Sequence, residues 1–333
     1  MILRVLLTAI VGLSCITAKA AIEINGITYW LNYDDHTAEV TDKKGDKYSG
    51  DIVIPPAISY LGEEFTVNKI GWGAFEKCDG LTSLKLPDTI VELGAYCVSY
   101  CPNIKTVTIP GSVESIMPIA FTGSGLESVT FEASDKGLNF TDDGSTVKIG
   151  EFHCDNLKEI VTSRCFDTGH REFLSMGKYW IWTHGFDYVT DIKIPAGAQV
   201  KDFIERNTLR SQIENLTIDK DAGDFPMSLI DYKSLKKLTL GDEIPRTCPE
   251  FTEEQFRSVE LNVPESALEA YMAADGWKNF LNVTVSGLRD VTTPAGKTVT
   301  GRYDLSGRPV TEDYHGVVII RYLDGSVEKT IRR

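Results

Sequence analysis

The sequence predicts a β-rich solenoid, a stack of parallel strands laid down by a repeat of about 23 residues. Three observations predict it. The apolar template Φ-x-x-Φ-x-Φ, with Φ an apolar residue, occupies 81–86, 104–109 and 126–131. A second piece precedes each copy in register: Ile70-Gly71, Leu93-Gly94 and Ile116-Met117, then Ala74, Cys97 and Ala120, then Phe75, Val98 and Phe121. The template returns at 157–160, 189–194, 213–218, 235–240, 256–261 and 280–285, with two wider intervals between 126 and 189. One such unit cannot bury its apolar face alone, so successive units must stack.

The elements follow in chain order. Residues 1–20 read as a secretory signal peptide: Arg4, a mostly apolar run over 5–16, and Ala18-Lys19-Ala20 as a small-x-small cleavage site. The run is too short to span a bilayer. Cys15 permits a rival reading as a lipoprotein signal, with Gly12-Leu13-Ser14 ahead of it. Residues 21–48 alternate polar and apolar around the turns Asn25-Gly26 and Asp34-Asp35, which predicts an antiparallel N-terminal β cap over the first open apolar end. The solenoid takes 49–285, opening with an imperfect coil at 51–55 and carrying insertions within 132–188. Insertions in repeat proteins map to loops on one face, often the binding face. A helix is expected over 264–276, with Ser266 and Glu269 as a capping box, Leu268, Tyr271 and Met272 on one face, and Asp275-Gly276 as its stop. Trp277 and Phe280 would seal the last coil. Residues 286–333 hold a linker at 292–296 and a small β module, with strands over 316–322 and 327–331 about a turn at 323–326.

The formal net charge of −14 argues against a nucleic-acid surface, which needs clustered Lys and Arg. Six cysteines follow the leader: Cys78, Cys97, Cys101, Cys154, Cys165 and Cys248. Their repeat positions suggest buried thiols more than a disulfide framework, since Cys97 stands where Ala74 and Ala120 stand. Cys78 and Cys101 share one position, and a bond between adjacent coils is sterically open to them.

The pattern Ile70-Gly71-x-x-Ala74-Phe75-x-x-Cys78-x-x-Leu81-x-x-Leu84-x-Leu86-Pro87 resembles the BspA-type leucine-rich repeat of bacterial surface proteins. The run 263–271, together with Asp275-Gly276-Trp277-Lys278-Asn279-Phe280, is similar to the closing segment of such arrays in gut and oral Bacteroidetes. Tyr303-Asp304-Leu305-Ser306-Gly307-Arg308 is similar to type IX secretion sorting signals, although here an Asp-Gly turn stands where a lysine-rich end is usual. The resemblance implies an extracellular or outer-surface location and adhesion-type binding. It brings no catalytic residues and no cofactor.

The spacings of metalloproteases, Walker A loops, dinucleotide folds, nucleophile elbows and EF-hands are all absent. His153, Cys154, Cys165, His170 and His184 are the best metal candidates, but His153 and Cys154 are neighbours on a strand and point to opposite faces. Asp142-Asp143-Gly144 reads as an acidic turn before it reads as a calcium site. Two binding features remain. One is the aromatic run Tyr179, Trp180, Trp182, Phe186 and Tyr188 in the insertion. The other is the outward face of the strands. The third and fifth template residues must face solvent, giving one stripe of Ser83, Thr106, Ser128, Glu159, Asp191, Asn215, Lys237 and Ser258, and another of Lys85, Thr108, Thr130, Lys193, Thr217, Thr239 and Glu260 interrupted by Val161. The candidate binding residues are Ser83, Lys85, Thr106, Thr108, Ser128, Thr130, Tyr179, Trp180 and Trp182. The expected function is an exported, non-enzymatic binding protein for a protein or glycan on a host or envelope surface. A structural subunit of an envelope or pilus-like assembly is the alternative. A glycan-directed enzyme using a carboxylate pair such as Glu151 and Asp155 comes last.

Overall fold

The structure is a computed structural model that describes residues 21–140, 152–166, 185–223, 225–286 and most of 299–332. The leader, the aromatics Tyr179, Trp180 and Trp182, the residues His170, His184, Glu151 and Asp142–Gly144, and the linker lie outside the described residues.

The expected β-rich solenoid is what the chain forms. Each repeat contributes one rung to a long parallel ladder. Strands Thr106–Ile109, Ser128–Phe131, Glu159–Thr162, Asp191–Ile194, Asn215–Ile218, Lys237–Leu240, Glu260–Pro264 and Asn282–Ser286 pair in sequence order in one eight-stranded sheet. Ahead of them, Leu81–Lys85 pairs in parallel with Gly50–Val53, the imperfect first coil. A second ladder runs through Glu63–Ile70, Glu92–Leu93, Ser115–Ile116 and Asn139–Phe140. There Ile70 sits opposite Leu93 and Leu93 opposite Ile116, as the repeat alignment requires.

The core lies between the ladders. Val107, Val129, Ile160, Ile192, Leu216, Leu238, Leu261 and Val283 form one continuous file, each opposite its neighbour in the next coil. All but Val283 are buried. Burying a side chain of this size stabilises by about 2 kcal/mol, and only stacking provides that burial. Aromatic rings extend the file elsewhere in the core: Phe121 stacks on Phe152 at 4.8 Å and 8°, and Phe152 on Phe186 at 5.1 Å and 17°.

The segment joining the two ladders is itself tied from coil to coil. Gly73 N–H donates to Ala95 O at 2.9 Å, Phe75 N–H to Cys97 O at 2.8 Å, and Val98 N–H to Ala120 O at 2.8 Å. Two left-handed residues recur in this turn. Gly73, Tyr96 and Ile119 have φ of 60°, 59° and 64°, and Lys77, Tyr100 and Gly123 have φ of 56°, 57° and 71°. Glycine fills each position in one coil only, so the other coils bear about 1–2 kcal/mol of local strain per residue, held by packing.

The N-terminal cap forms as expected. Strands Ile22–Ile24, Ile27–Asn32 and Thr37–Thr41 are antiparallel, and Thr37–Thr41 then joins Glu63–Ile70 in parallel, which fuses the cap to the second ladder. Ala57–Tyr60 adds an antiparallel hairpin to Glu63–Ile70 that the repeat pattern did not indicate. The additional residues near Glu159–Thr162 leave the ladder intact, because that strand pairs in register with both neighbours.

The closing coils differ from the sequence reading in two ways. Phe256 does not open a strand; it lies in an α-helix, Glu253–Ser258, and the rung is Glu260–Pro264. The reading was therefore two residues early, and Lys237 faces Glu260 where Ser258 was expected. The expected capping box at Ser266 and Glu269 is also absent. A 3-10 turn, Glu265–Ala267, leads into the helix Leu268–Ala273 without a side-chain cap, and the Ser266 hydroxyl donates to Glu243 instead. Leu268 and Tyr271 are buried, but Met272 is exposed. Gly276, at φ 82°, ends the segment, and Trp277 and Phe280 seal the core. Beyond it, Val299–Tyr303, Gly316–Tyr322 and Val327–Arg332 form an antiparallel sheet around Val318 and Ile320. Gly316–Tyr322 lies against the last rung, Asn282–Ser286.

Candidate binding surface

Alternation along each strand sends every second residue outward, and the ladder places these residues in rows. The register puts Thr106 opposite Ser128 and Thr108 opposite Thr130. Ser128 lies opposite Glu159, and Thr130 opposite Val161. With the corrected last coil, the first row continues through Asp191, Asn215, Lys237, Glu260 and Asn282, and the second through Lys193, Thr217, Thr239, Asn262 and Thr284.

Most of the two rows is already hydrogen-bonded internally. Ser128 donates to Glu159 Oε2 at 2.8 Å, and Asn215 donates to Asp191. Lys237 pairs with Glu260 at 2.9 Å, Thr284 donates to the same carboxylate at 2.8 Å, and Asn262 donates to Thr284 at 2.7 Å. At the other end, Thr82 and Ser83 donate to Asp51 Oδ1 at 2.8 and 2.9 Å, and those two bonds hold the Asp51 carboxyl below its ordinary range. Flanking charges also pair between coils, Lys105 with Glu127 at 3.3 Å and Lys236 with Glu214 at 2.7 Å. Such exposed pairs add little stability, but they leave the face with no strong field of either sign.

Thr106, Thr108 and Thr130 are different, as are Thr217 and Thr239 further along the second row. Thr106 and Thr108 are exposed and Thr130 is half-buried, and none makes a side-chain hydrogen bond among the described residues. Lys85 is exposed beside them. Of the nine sequence candidates, the structure therefore brings six to one face: Ser83, Lys85, Thr106, Thr108, Ser128 and Thr130. Ser83 and Ser128 spend their hydroxyls on neighbouring carboxylates. Tyr179, Trp180 and Trp182 lie outside the described residues. Phe186, expected with them in an aromatic platform, is instead fully buried in the core stack, while Tyr188 is exposed beneath Lys158, 5.6 Å from its ring.

A second exposed cluster lies on the connecting turns. Trp72 is 67% exposed, and its ring centroid is 5.9 Å from that of Tyr96 in the next coil. Lys77 lies 5.9 Å above the ring of Tyr100, which is itself packed over Gly123 so closely that a Cβ there would meet Tyr100 Cδ1 at 2.6 Å. The sequence reading missed this cluster. Its one signal was a tryptophan between Gly71 and Gly73, at a place where the repeat otherwise carries small or aliphatic residues.

The metal candidates that lie among the described residues, His153, Cys154 and Cys165, do not form a site. The Cys154 thiol is buried, and His153 points the other way with 43% of its side chain exposed, 3.4 Å from Asp187. Among the described residues, no group of three His, Cys, Asp or Glu side chains could hold a metal ion. No described helix is long and apolar enough to cross a membrane.

Comparison with known proteins identifies the repeat. Residues 58–168 match the model of the BspA type leucine rich repeat region in six copies. A search of curated proteins finds no match. Among solved structures, the chain is similar to a leucine-rich repeat protein from Bacteroides capillosus ATCC 29799, with 19% identity over 43% of this chain and 97% of that one and a TM-score of 0.35. It is similar to a leucine rich cell surface protein from Faecalibacterium prausnitzii A2-165, with 18% identity over 81% and 96% and a TM-score of 0.30. A leucine-rich repeat protein from Bacteroides ovatus ATCC 8483 gives 19% identity over 80% and 89% and a TM-score of 0.25.

Proposed function

We propose that this chain, with a BspA-type leucine-rich repeat region over residues 58–168, is an exported, non-enzymatic binding protein that holds a protein or glycan on its strand face. The observation that carries the reading is the set of unengaged hydroxyls at Thr106, Thr108 and Thr130. They stand on a rigid ladder whose other outward groups are mostly paired. A flat row of this kind offers donors and acceptors to an extended partner without first breaking internal bonds. The basic n-region and short apolar run at 1–20 support export, and the tail at 303–308 supports delivery to the outer surface.

The test is the double substitution Thr108→Arg with Thr130→Arg. Both side chains lie on the outward face of the ladder, Thr108 exposed and Thr130 half-buried, so Tm should change by no more than a degree or two. Affinity for a partner captured from extracellular matrix or from the producer's envelope should fall at least tenfold. The turn cluster favours a second reading, in which Trp72 and Tyr96 are the docking point. If Trp72→Ala abolishes capture while the threonine pair has no effect, the strand face is not the site.

A further inference from the structure

Cys78 and Cys101 occupy one repeat position in consecutive coils, and both are free and fully buried. The Cys101 thiol donates to Phe75 O at 3.0 Å, and the same carbonyl accepts the Cys78 N–H at 3.3 Å. The arrangement recurs further along the stack. Cys154 donates to Phe121 O at 3.1 Å, the Ser124 N–H reaches that carbonyl at 3.1 Å, and Ser124 Oγ lies 3.3 Å from Cys154 Sγ. Ser124 is thus the counterpart of Cys78, and Cys154 of Cys101. Where the later pair joins a hydroxyl to a thiol, the earlier pair sets two thiols side by side, Cys101 donating to Phe75 O and Ser99 O and Cys78 to Glu76 O. Both cysteines lie in connecting turns tied coil to coil, Lys77 N–H donating to Ser99 O at 3.0 Å, and coils so paired stand about 4.8 Å apart, inside the Cα separation that a disulfide spans. Cys97 is directed elsewhere, toward Ala120 O at 3.7 Å.

We propose that Cys78 and Cys101 are a site of oxidative cross-linking, forming an inter-coil disulfide with a low-molecular-weight disulfide of the glutathione class as oxidant. Cys78 gives up its proton and attacks one sulfur of the oxidant, releasing one thiol and forming a mixed disulfide. Cys101 then gives up its proton and attacks the Cys78 sulfur, releasing the second thiol. Two S–H bonds and one S–S bond break, one S–S bond and two S–H bonds form, and two electrons pass to the oxidant. The neighbouring Cys101 side chain draws the Cys78 thiol down, which favours Cys78 as the first nucleophile. Because both sulfurs are buried, closure belongs to folding or to opening of the coil.

The experiment refolds the full-length chain in a buffer of reduced and oxidised glutathione, alkylates it in denaturant and maps the peptides by mass. The expected result is a peptide containing Cys78 linked to one containing Cys101, a count of alkylated cysteines lower by two than in the fully reduced chain, and a Tm raised by several degrees. Cys78→Ser copies the Ser124 arrangement and should leave Cys101 alkylated. Ser124→Cys should add a second link, to Cys154. The proposal is overturned if Cys78 and Cys101 both remain alkylated in a chain whose far-UV spectrum shows the native fold, or if either links instead to Cys97, Cys165 or Cys248.

Discussion

Arg164 is 1% exposed and gives its guanidinium to backbone oxygens, Val113 O at 3.0 Å, Gly111 O at 3.4 Å and Lys136 O at 2.7 Å. Burial pulls its pKa down, opposed in part by the nearby Glu114 carboxylate. One side chain thereby closes two turns in different coils. Arg164→Ala would leave three carbonyls without that donor, and a loss of about 3 kcal/mol in urea unfolding is expected. Arg164→Lys, which keeps the charge but not the planar fork, should lose roughly half as much. No repeat could have revealed this role, because its partners lie 51 and 28 positions back. The neighbouring hydroxyls do follow the period. Thr89, Ser112 and Ser134 donate to carbonyls 22, 22 and 23 positions earlier, at 2.6, 2.7 and 2.6 Å. Residues that reach back one coil are legible in the sequence, and residues that reach across several are not. The same limit applies at the binding face, where the outward position of Thr106, Thr108 and Thr130 follows from strand alternation. That their hydroxyls stay unengaged while those of Ser83 and Ser128 are taken up does not.

Two stretches that lead into a described helix carry the pattern of a capping box, and only one forms it. At Ser266 the strand Glu260–Pro264 runs straight into a helical turn, so the serine lies inside the turn and its N–H neighbours are already placed. At Thr252 the backbone is extended, with φ −75° and ψ 160°, and the box closes: Gln255 N–H donates to Thr252 Oγ1 at 3.1 Å and Thr252 N–H to Gln255 Oε1 at 2.9 Å. Gln255 also donates to Leu229 O at 3.0 Å and Tyr232 O at 3.1 Å, in the preceding coil. Thr252→Ala should cost about 1 kcal/mol, the usual worth of a cap. Gln255→Ala loses the box and the tie to the previous coil, and about 3 kcal/mol is expected. Equal losses in denaturant titrations of the two variants would mean that the inter-coil bonds contribute nothing. The register error in the next strand has a simple cause. Val259, Leu261 and Val263 continue the alternation, and a shift of two residues keeps every side chain on its own face, so an apolar template cannot distinguish the two frames.

For the molecule as a whole, stability should spread from coil to coil, because each repeat buries its apolar surface mainly against its neighbours. The aromatic stack tests this where the sequence spacing is widest. Phe152 is fully buried between Phe121 and Phe186, and its ring also meets the edge of Phe131 at 5.9 Å. The rung before it is Ser128–Phe131, and the rungs after it are Glu159–Thr162 and Asp191–Ile194. Phe166 bridges the same interval beside it, 4.4 Å from Phe131 and 6.4 Å from Phe186 between ring centroids. Phe152→Ala removes the ring from both interfaces at once, and a loss of about 4 kcal/mol is expected from transfer and cavity terms together. Because the damage sits at the junction of two half-solenoids, the consequence should exceed a lower midpoint. The single unfolding transition should broaden or separate into two, the N-terminal coils and the C-terminal coils melting at different denaturant concentrations. Phe65→Ala, at the capped end and equally buried, should lower the midpoint with less broadening, since no coils lie on its far side to be uncoupled. Fluorescence of Trp277 in the closing coil, in a background where Trp30, Trp72, Trp180 and Trp182 are replaced by Phe, followed beside far-UV circular dichroism of the whole chain, distinguishes these outcomes. Two coincident transitions in Phe152→Ala would show that the stack is not the coupling element and that the ladders alone carry cooperativity across the insertion.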